Sequence, residues 1–358
     1  MKKENAEALL MLLQKHKELG ISEQIDYEKF YLYSIITHST AIEGSTVTEV
    51  EAQLLFDEGI TSSKRTMQEQ MMNLDLKAAY EYGMQWIKLH NPITIDWLVT
   101  LAAKVMARTG SEYNSIDGSF SSAKGELRKL NVTAGLGGPS YLAYQKVPSR
   151  LEQFCSDLNK RRSAIEPTDV AAVYDLSFWA HYELVTIHPW ADGNGRTSRL
   201  LMNLLQIEFG VLPTKVLKED KSEYIQALID SREDENINIF LDCMAQLHLQ
   251  HLKTDIDKYV KSADVEMVDK QALKKKMVDK WSIKPSLAEK MVDILVFMAD
   301  KRETTTESVV HQFGFTITTA KRYMRQLTEF GYIEAQGGNK NRTYRISTTN
   351  SLGKIYNI

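Results

Sequence analysis

Cysteine is nearly absent: Cys155 and Cys243 are the only two in 358 residues, and no CxxC pair exists. Neither a disulfide framework nor a structural zinc site can be built from them, and a reducing compartment is the simplest expectation. Neither sign of charge prevails, since 44 Lys plus Arg stand against 47 Asp plus Glu for a net −3. No global field therefore commits the chain to nucleic acid or an anionic membrane, and any basic site must be local. Long apolar runs are missing as well. The stretch from Ala8 to Leu13 is bounded by Gln14 and Lys15, too short for a signal segment or a span, so a cytoplasmic protein with no membrane partner is expected.

The remainder is ordinary globular material, with 43% hydrophobic and 25% charged residues. That composition argues against long disorder, collagen or a membrane bundle. The length exceeds what one core usually serves and predicts two or three domains. Apolar residues recur at helical spacing through most of the first 260 positions, so the fold class is mainly α. A helix is predicted over Tyr27 to Glu43, stopped by Gly44, and Thr48 with Glu51 fits a capping box opening the next. A long amphipathic segment covers Met67 to Leu89, and Thr94 can cap a further helix after the break at Asn91-Pro92. Between Gly125 and Pro148 the helical period disappears, and Leu127 to Ala134 with Tyr141 to Val147 reads as a hairpin or flap. Two strongly apolar helices come next, one capped by Thr168 and ending near His188-Pro189, the other running from about Gly195 to Gly210. Together they read as the centre of a helical core.

The domain expectation is a helical region over 1–90, a catalytic domain over 91–254, a charged helical connector over 255–284, and a compact module over 285–358. That last module reads as helix, helix, helix, hairpin, at Ala288 to Ala299, Thr306 to Phe313, Thr318 to Phe330, and strands near Tyr332 and Thr343.

The chemistry concentrates in His188-Pro189-Trp190-Ala191-Asp192-Gly193-Asn194-Gly195-Arg196-Thr197-Ser198-Arg199. Gly193 and Gly195 free the backbone just before a helix starts, so several N–H groups can converge on an anion at the positive end of the helix dipole. Arg196 and Arg199, three apart on the first turn, can add charge-assisted hydrogen bonds to phosphate. Asp192 is a hard oxygen ligand beside that nest, suited to Mg²⁺. His188 titrates near neutrality and can take a proton from a hydroxyl. Each piece alone has a plainer reading, since a histidine before proline is commonly structural and Gly-Asn-Gly is an ordinary turn. Base, acidic ligand, anion nest and paired arginines within twelve positions between two buried helices make the joint pattern specific.

This segment resembles the Fic family signature, His-Pro-Phe-x-(Asp or Glu)-Gly-Asn-Gly-Arg-x-x-Arg, with Trp190 in place of the usual phenylalanine. The resemblance implies a Fic-type helical core with a β-hairpin flap, and an adenylyltransferase that uses ATP and Mg²⁺. His188 would be the general base for the hydroxyl of a protein Tyr, Thr or Ser, on another protein or on this one. Asp192 would hold the metal, and Gly193, Asn194, Gly195, Arg196, Thr197, Ser198 and Arg199 would form the nucleotide site, with Arg199 at the γ-phosphate. Gly135 and Leu136 of the flap, which resembles the family's target-docking hairpin, are placed near the nucleotide. Tyr224 corresponds to the first of two tyrosines that family members carry near the adenine, with simple packing beside Leu228 as the alternative. Ser39-Thr40-Ala41-Ile42-Glu43-Gly44 is similar to the family's inhibitory motif. It implies that Ser39 and Glu43 share a helix face and that Glu43 pairs with Arg199. In some members that glutamate instead aligns a water that removes AMP, so transfer and removal both stay open, and an ATP-sensing DNA-binding regulator without turnover is the alternative from another class.

Two further features have competing readings. His248, His251 and Asp255 could share one helix face and bind a metal, but a solvated face is the expected reading and no metal is assigned there. The C-terminal module resembles a winged helix-turn-helix. Across Thr316 to Arg345 the basic residues Lys321, Arg322, Arg325, Lys340, Arg342 and Arg345 exceed Glu329 and Glu334 by four. The turn at Gly337-Gly338-Asn339-Lys340 is a wing candidate. DNA is one partner for this surface and a protein or a second copy of the chain, as a homodimer, is the other.

Overall fold

The computed structural model describes residues 1–134, 138–166, 168–299, 301, 303–338 and 342–347, with backbone alone for 261–269, 272 and 299. The chain divides into two compact units, Met1–Asp257 and Lys258–Ile358. The first contains α1 (Lys3–Glu18), α2 (Tyr27–Ile42), α3 (Glu49–Glu58), α4 (Met67–Ile87) and α5 (Ile95–Val105). A short hairpin, β1 (Glu112–Ser115) and β2 (Gly118–Ser121), precedes α6 (Val147–Ser163), α7 (Val170–Ile187), α8 (Asn194–Glu208) and α9 (Lys221–Glu233), and α10 (Asn238–Trp281) begins in this unit. The architecture is mainly helical, as the periodicity predicts. Among the described residues no helix is long and apolar enough to cross a membrane.

Local chemistry sets the helix starts. Thr48 and Thr66 each close a capping box, with Glu51 and Glu69, and Thr94 accepts the Trp97 amide at the head of α5. At α7 the cap is Asp169, not Thr168, because its carboxylate reaches the Ala172 amide at 3.0 Å.

Helices α7 and α8 are buried on most faces because each serves two cores. On one side Leu184, Leu200, Leu201 and Leu204 pack with Leu76 and Tyr80 of α4, Leu98 and Leu101 of α5, and Leu151 and Phe154 of α6. On the other, Tyr174, Phe178 and Met202 pack with Tyr224, Phe240 and Met244. The approach of α4 to α8 is so close that a Cβ on Gly83 would lie 2.4 Å from Leu204 Cδ1. The segment through residue 90 thus shares its core with the helices beyond Asn91, and no boundary separates them.

The expected flap pairs across its turn, though briefly. Among the described residues between 125 and 148 the antiparallel pairing consists of the Thr133–Ser140 bridge and two neighbouring backbone bonds, and Val147 opens α6 rather than ending the segment as a strand. The regular hairpin of this unit is β1–β2, where only Tyr113 and Phe120 stack, 5.2 Å apart. Its remaining residues are polar or glycine and give no period-2 apolar signal to read. Gly135 and Leu136 lie outside the described residues.

A correction concerns α10. His248, His251 and Asp255 form a packed face, not a solvated one. His248 Nε2 lies 3.0 Å from the Tyr174 hydroxyl. His251 Nε2 sits 3.0 Å from Asp220 Oδ2, near enough for ion pairing though out of line for a hydrogen bond. Asp255 binds Lys215 at 2.8 Å.

The second unit has its own core. Met277 of α10 and Met291, Ile294, Leu295 and Met298 of α11 (Pro285–Ala299) pack with Val309 of α12 (Thr306–Phe313) and Met324 and Leu327 of α13 (Ile317–Glu329). Strands β3 (Thr304–Thr305), β4 (Ile333–Gln336) and β5 (Thr343–Ile346) form an antiparallel sheet in the order β3-β5-β4. The two-residue β3 is too short to leave a periodic signal in the sequence. Lys321, Arg322 and Arg325 are exposed on α13, opposite the buried Ala320, Met324 and Leu327. Asn339 and Lys340 of the expected wing lie outside the described residues.

Burial carries a pH consequence. The imidazoles of His181 and His248 are pushed down to about 3, by burial first and then by neighbouring cations, Arg199 for the former and chiefly His251 and Lys215 for the latter. Below the ordinary histidine value the unfolded chain takes up these protons and the folded one does not. Stability of the first unit should therefore fall on acidification from about pH 6.5, by about 1.4 kcal/mol per pH unit for each imidazole. Thermal unfolding across pH 4 to 7 measures the slope, and His248→Asn should remove one proton's share of it. An unchanged slope in that variant would place His248 outside this linkage.

Candidate active site

Pro189 disfavours the right-handed helical conformation for His188, so α7 must end there. The chain turns with His188 in the left-handed region, φ 52° and ψ 62°, while its amide still bonds Leu184 O. This conformation costs a side-chain-bearing residue about 1–2 kcal/mol and survives because the surroundings fix it. Its Nδ1 lies 3.2 Å from Val185 O, which puts the ring proton on Nδ1 and leaves the Nε2 lone pair free. Burial pushes the imidazole down to about 4; the Val185 carbonyl and Asp192 oppose this, and the Arg128 and Arg232 cations add to it. At neutral pH the ring is an unprotonated acceptor.

The loop after it is clamped by its own residues. Asn194 accepts the Trp190 amide at 3.1 Å and donates to Trp190 O at 2.8 Å. The buried Trp190 indole donates to Gly125 O at 2.9 Å, so the aromatic position acts as a packing anchor. Gly193 takes φ 85° as the N-cap of α8, and a Cβ there would strike Met106 at 2.8 Å. Only glycine meets both demands. The first amides of α8 are thereby left without helical partners, as at any helix N-terminus.

Both arginines of the first turn are 3% exposed. Two buried cations at the positive end of a helix oppose its dipole and need anions. Arg199 has one: its Nη2 donates to Glu43 Oε1 at 2.6 Å and to Ser39 O at 3.0 Å, and its Nε to Ser39 Oγ at 2.9 Å. Its Nη1 reaches the Tyr224 hydroxyl at 3.4 Å, and that hydroxyl lies 2.9 Å from His181 Nε2. Arg196 is matched only in part. Its Nη2 touches Met106 Sδ at 3.0 Å and Asp192 Oδ1 at 3.4 Å, while Nε and Nη1 are buried without a partner. The hydroxyls of Thr197 and Ser198 are likewise buried and unpaired. Unsatisfied buried donors on a guanidinium beside open helix amides fit a bound anion.

Glu43 caps the end of α2, whose last turns are held on α4 by Thr40 Oγ1 to Asn73 Oδ1 at 3.0 Å, with Lys221 Nζ on Ile42 O at 2.7 Å. Burial alone raises its carboxyl, but Arg199, helped by Arg196 and Lys221, outweighs that and holds it below the usual carboxylate range. A Cβ on Gly195 would lie 2.8 Å from Glu43 Oε1, so the carboxylate sits over the opening amides of α8.

Of the expected site residues, His188, Asp192 to Arg199, Ser39 and Glu43 come together here. Tyr224 is only 1% exposed and packs beside Leu228 and Phe240, while its hydroxyl lies 2.9 Å from His181 Nε2 and accepts from Arg199 Nη1, so it is packed and also touches the site. The sequence reading missed Met106, Arg128, His181 and Arg232, single residues whose neighbours carry no pattern. Arg128 ties the segment after β2 to this loop, donating to His188 O at 2.7 Å and to the carbonyls of Leu130 and Leu142.

Asp192 is 53% exposed at its side chain. Its Oδ1 accepts the Gly193 amide at 2.5 Å, and the other oxygen has no partner among the described residues. An open, hard carboxylate oxygen beside an anion nest fits a Mg²⁺ ion.

Comparison with known proteins places this geometry. Residues 92–206 match the model of the Fic/DOC family. The chain is 30% identical over 216 residues to protein adenylyltransferase Fic of Drosophila melanogaster, 60% of this chain and 39% of that protein. It is 28% identical over 204 residues to protein adenylyltransferase fic-1 of Caenorhabditis elegans, 56% of this chain and 36% of that one. The matched part thus spans well under half the length of those curated relatives. Among solved structures, a Fic family protein from Desulfovibrio desulfuricans G20 matches with TM-score 0.60 and 16% identity over 98% of each chain. A Fic domain containing signaling protein from Bacteroides thetaiotaomicron matches with TM-score 0.58 and 20% identity, over 71% of this chain and 97% of that one. These structural likenesses speak for the fold.

The Glu43–Arg199 pair makes a direct prediction about anion occupancy. Without ligand, Glu43→Gly should lower stability by about 1–2 kcal/mol, a figure discounted because a third of the carboxylate is already in water. Inorganic tripolyphosphate should raise the melting temperature of that variant more than that of the parent. Equal responses would mean that the carboxylate does not occupy the anion's place.

Proposed function

We propose that this chain, whose residues 92–206 match the model of the Fic/DOC family, is a protein adenylyltransferase that moves AMP from ATP to a protein hydroxyl and is restrained in cis by Glu43. The observation that carries the reading is the start of α8. One buried guanidinium there has only a long 3.4 Å contact to Asp192 and two nitrogens without partners, and the other is neutralised by a carboxylate borrowed from α2, in the loop-and-helix segment that opens with an imidazole whose Nε2 is free.

In this reading a Tyr, Thr or Ser hydroxyl gives its proton to His188 Nε2 as its oxygen attacks the α-phosphorus of ATP, and the bond to pyrophosphate breaks. The α8 amides and Arg196 hold the β-phosphate side, and Arg199 takes the γ-phosphate once Glu43 leaves it. Catalysis then rests on positioning and charge stabilisation. Asp192 would hold Mg²⁺, which supplies charge neutralisation along the phosphates when bound. While Glu43 stays on Arg199, the γ-phosphate has no cation to orient it. The same carboxylate, ionised and one-third open to water, also suits alignment of a water for removal of AMP from a modified target.

Incubating the Glu43→Gly protein with labelled ATP and Mg²⁺ should give AMP on protein, read as a 5′-AMP adduct by mass spectrometry, at a rate at least about tenfold above the parent. His188→Ala in that background should abolish it. ATP binding without any adduct would favour a nucleotide-sensing role, and AMP release by the parent from a modified target would favour removal.

For the second unit we propose a winged helix-turn-helix whose basic face meets DNA. The exposed Lys321, Arg322 and Arg325 on one side of α13 support this, although Arg325 also pairs with Glu329 at 3.5 Å. The chain is read as cytoplasmic, and a homodimer is compatible with it. Duplex binding should weaken steeply with added salt, and Arg322→Ala should lower the salt slope by about one. No binding at low salt would leave the face to a protein partner.

A further inference from the structure

The catalytic imidazole is covered on one face. Tyr141 stacks on His188 with ring centroids 3.9 Å apart and planes at 21°. The guanidinium of Arg232, from α9, lies 5.0 Å from the centre of the Tyr141 ring and is itself tethered by Nε to Leu228 O at 3.2 Å. Guanidinium, phenol ring and imidazole are thus linked in series. Tyr141 is held from its own segment too, since its amide bonds Val132 O at 3.0 Å, and the adjacent Leu142 carbonyl accepts from Arg128, the same side chain that holds His188 O.

Resting on the adenylyltransferase reading, we propose that Tyr141, pinned by Arg232, is a positioning residue that orients the His188 ring for proton transfer. The hydrogen bond from Nδ1 to Val185 O fixes one edge of the imidazole but leaves rotation about that contact; a stacked ring removes it. Stacking covers a face and leaves the Nε2 edge to the incoming hydroxyl, so the device orients the base without blocking it. The groups that face the ring are Tyr141, Arg128 from the same segment, Arg232 from α9, Asp192 from the following loop and the Val185 carbonyl of α7. Of these only Tyr141 touches its flat side through a ring. The placement of the segment that carries Tyr141 thereby sets the geometry of the base.

The test uses the full chain in the Glu43→Gly background with two readouts. In a histidine side-chain NMR spectrum, with His188 identified by its loss in His188→Ala, the ring protons should be displaced upfield by the Tyr141 ring. Tyr141→Leu should abolish that displacement and Tyr141→Phe should retain it; Arg232→Gln should reduce it. In the transfer assay, Tyr141→Leu should lower kcat about ten- to a hundredfold with the KM for ATP little changed, and Tyr141→Phe should recover most of the loss. Unaltered His188 resonances and kcat in Tyr141→Leu would overturn the proposal. Should the parent transfer no AMP, the resonance displacement alone decides the positioning role, and the failure falls on the adenylyltransferase reading instead.

Discussion

Two guanidinium groups buried at the positive end of α8 have to be neutralised, and most of what is distinctive in the first unit follows from that requirement. A helix N-terminus attracts anions, and Arg196 and Arg199 strengthen the attraction while burying charge that the fold cannot leave alone. In this structure Glu43 answers half of the demand through Arg199. Arg196 keeps two nitrogens without partners. In the proposed reading, the unmatched half is the space for a polyphosphate, and the matched half is where the fold competes with it.

That competition explains why α2 is built as it is. Its last turns are buried and bolted to α4 through Thr40 and Asn73, and Lys221 holds its final carbonyl. The carboxylate is therefore presented at a fixed place rather than on a flexible arm, and displacing it means loosening packing as well as breaking an ion pair. Behind Arg199, Tyr224 and His181 form a chain that does not involve α2. It is a contact on the guanidinium separate from the one Glu43 makes. On the other side of the loop, Arg128, Tyr141 and Arg232 connect the segment after β2 to the imidazole. Base and anion site are each held from two directions.

Local patterns carried much of this. The helices, the capping box at Thr48, the cap at Thr94 and the twelve-residue run from His188 to Arg199 depend on interactions within a few residues, which spacing reports directly. The misreadings share the opposite character. The hairpin β1–β2 has too little apolar alternation to register. The face of α10 bearing His248 and His251 reads as solvated in the sequence because its partners, Tyr174 and Asp220, lie far off along the chain.

By itself, the sequence determined the mainly helical character, the glycine-containing loop between two apolar helices, and the presence of a carboxylate at the end of α2. These follow from backbone preference, periodicity and the identity of adjacent side chains. Only the tertiary structure decided that Glu43 lies 2.6 Å from Arg199, that Arg196 is matched only in part, and that Tyr141 covers His188. Each of those depends on bringing together segments tens of residues or more apart, or on the burial that such packing produces. Contacts of that range are set by the fit of whole faces and leave no mark on the residues near either partner.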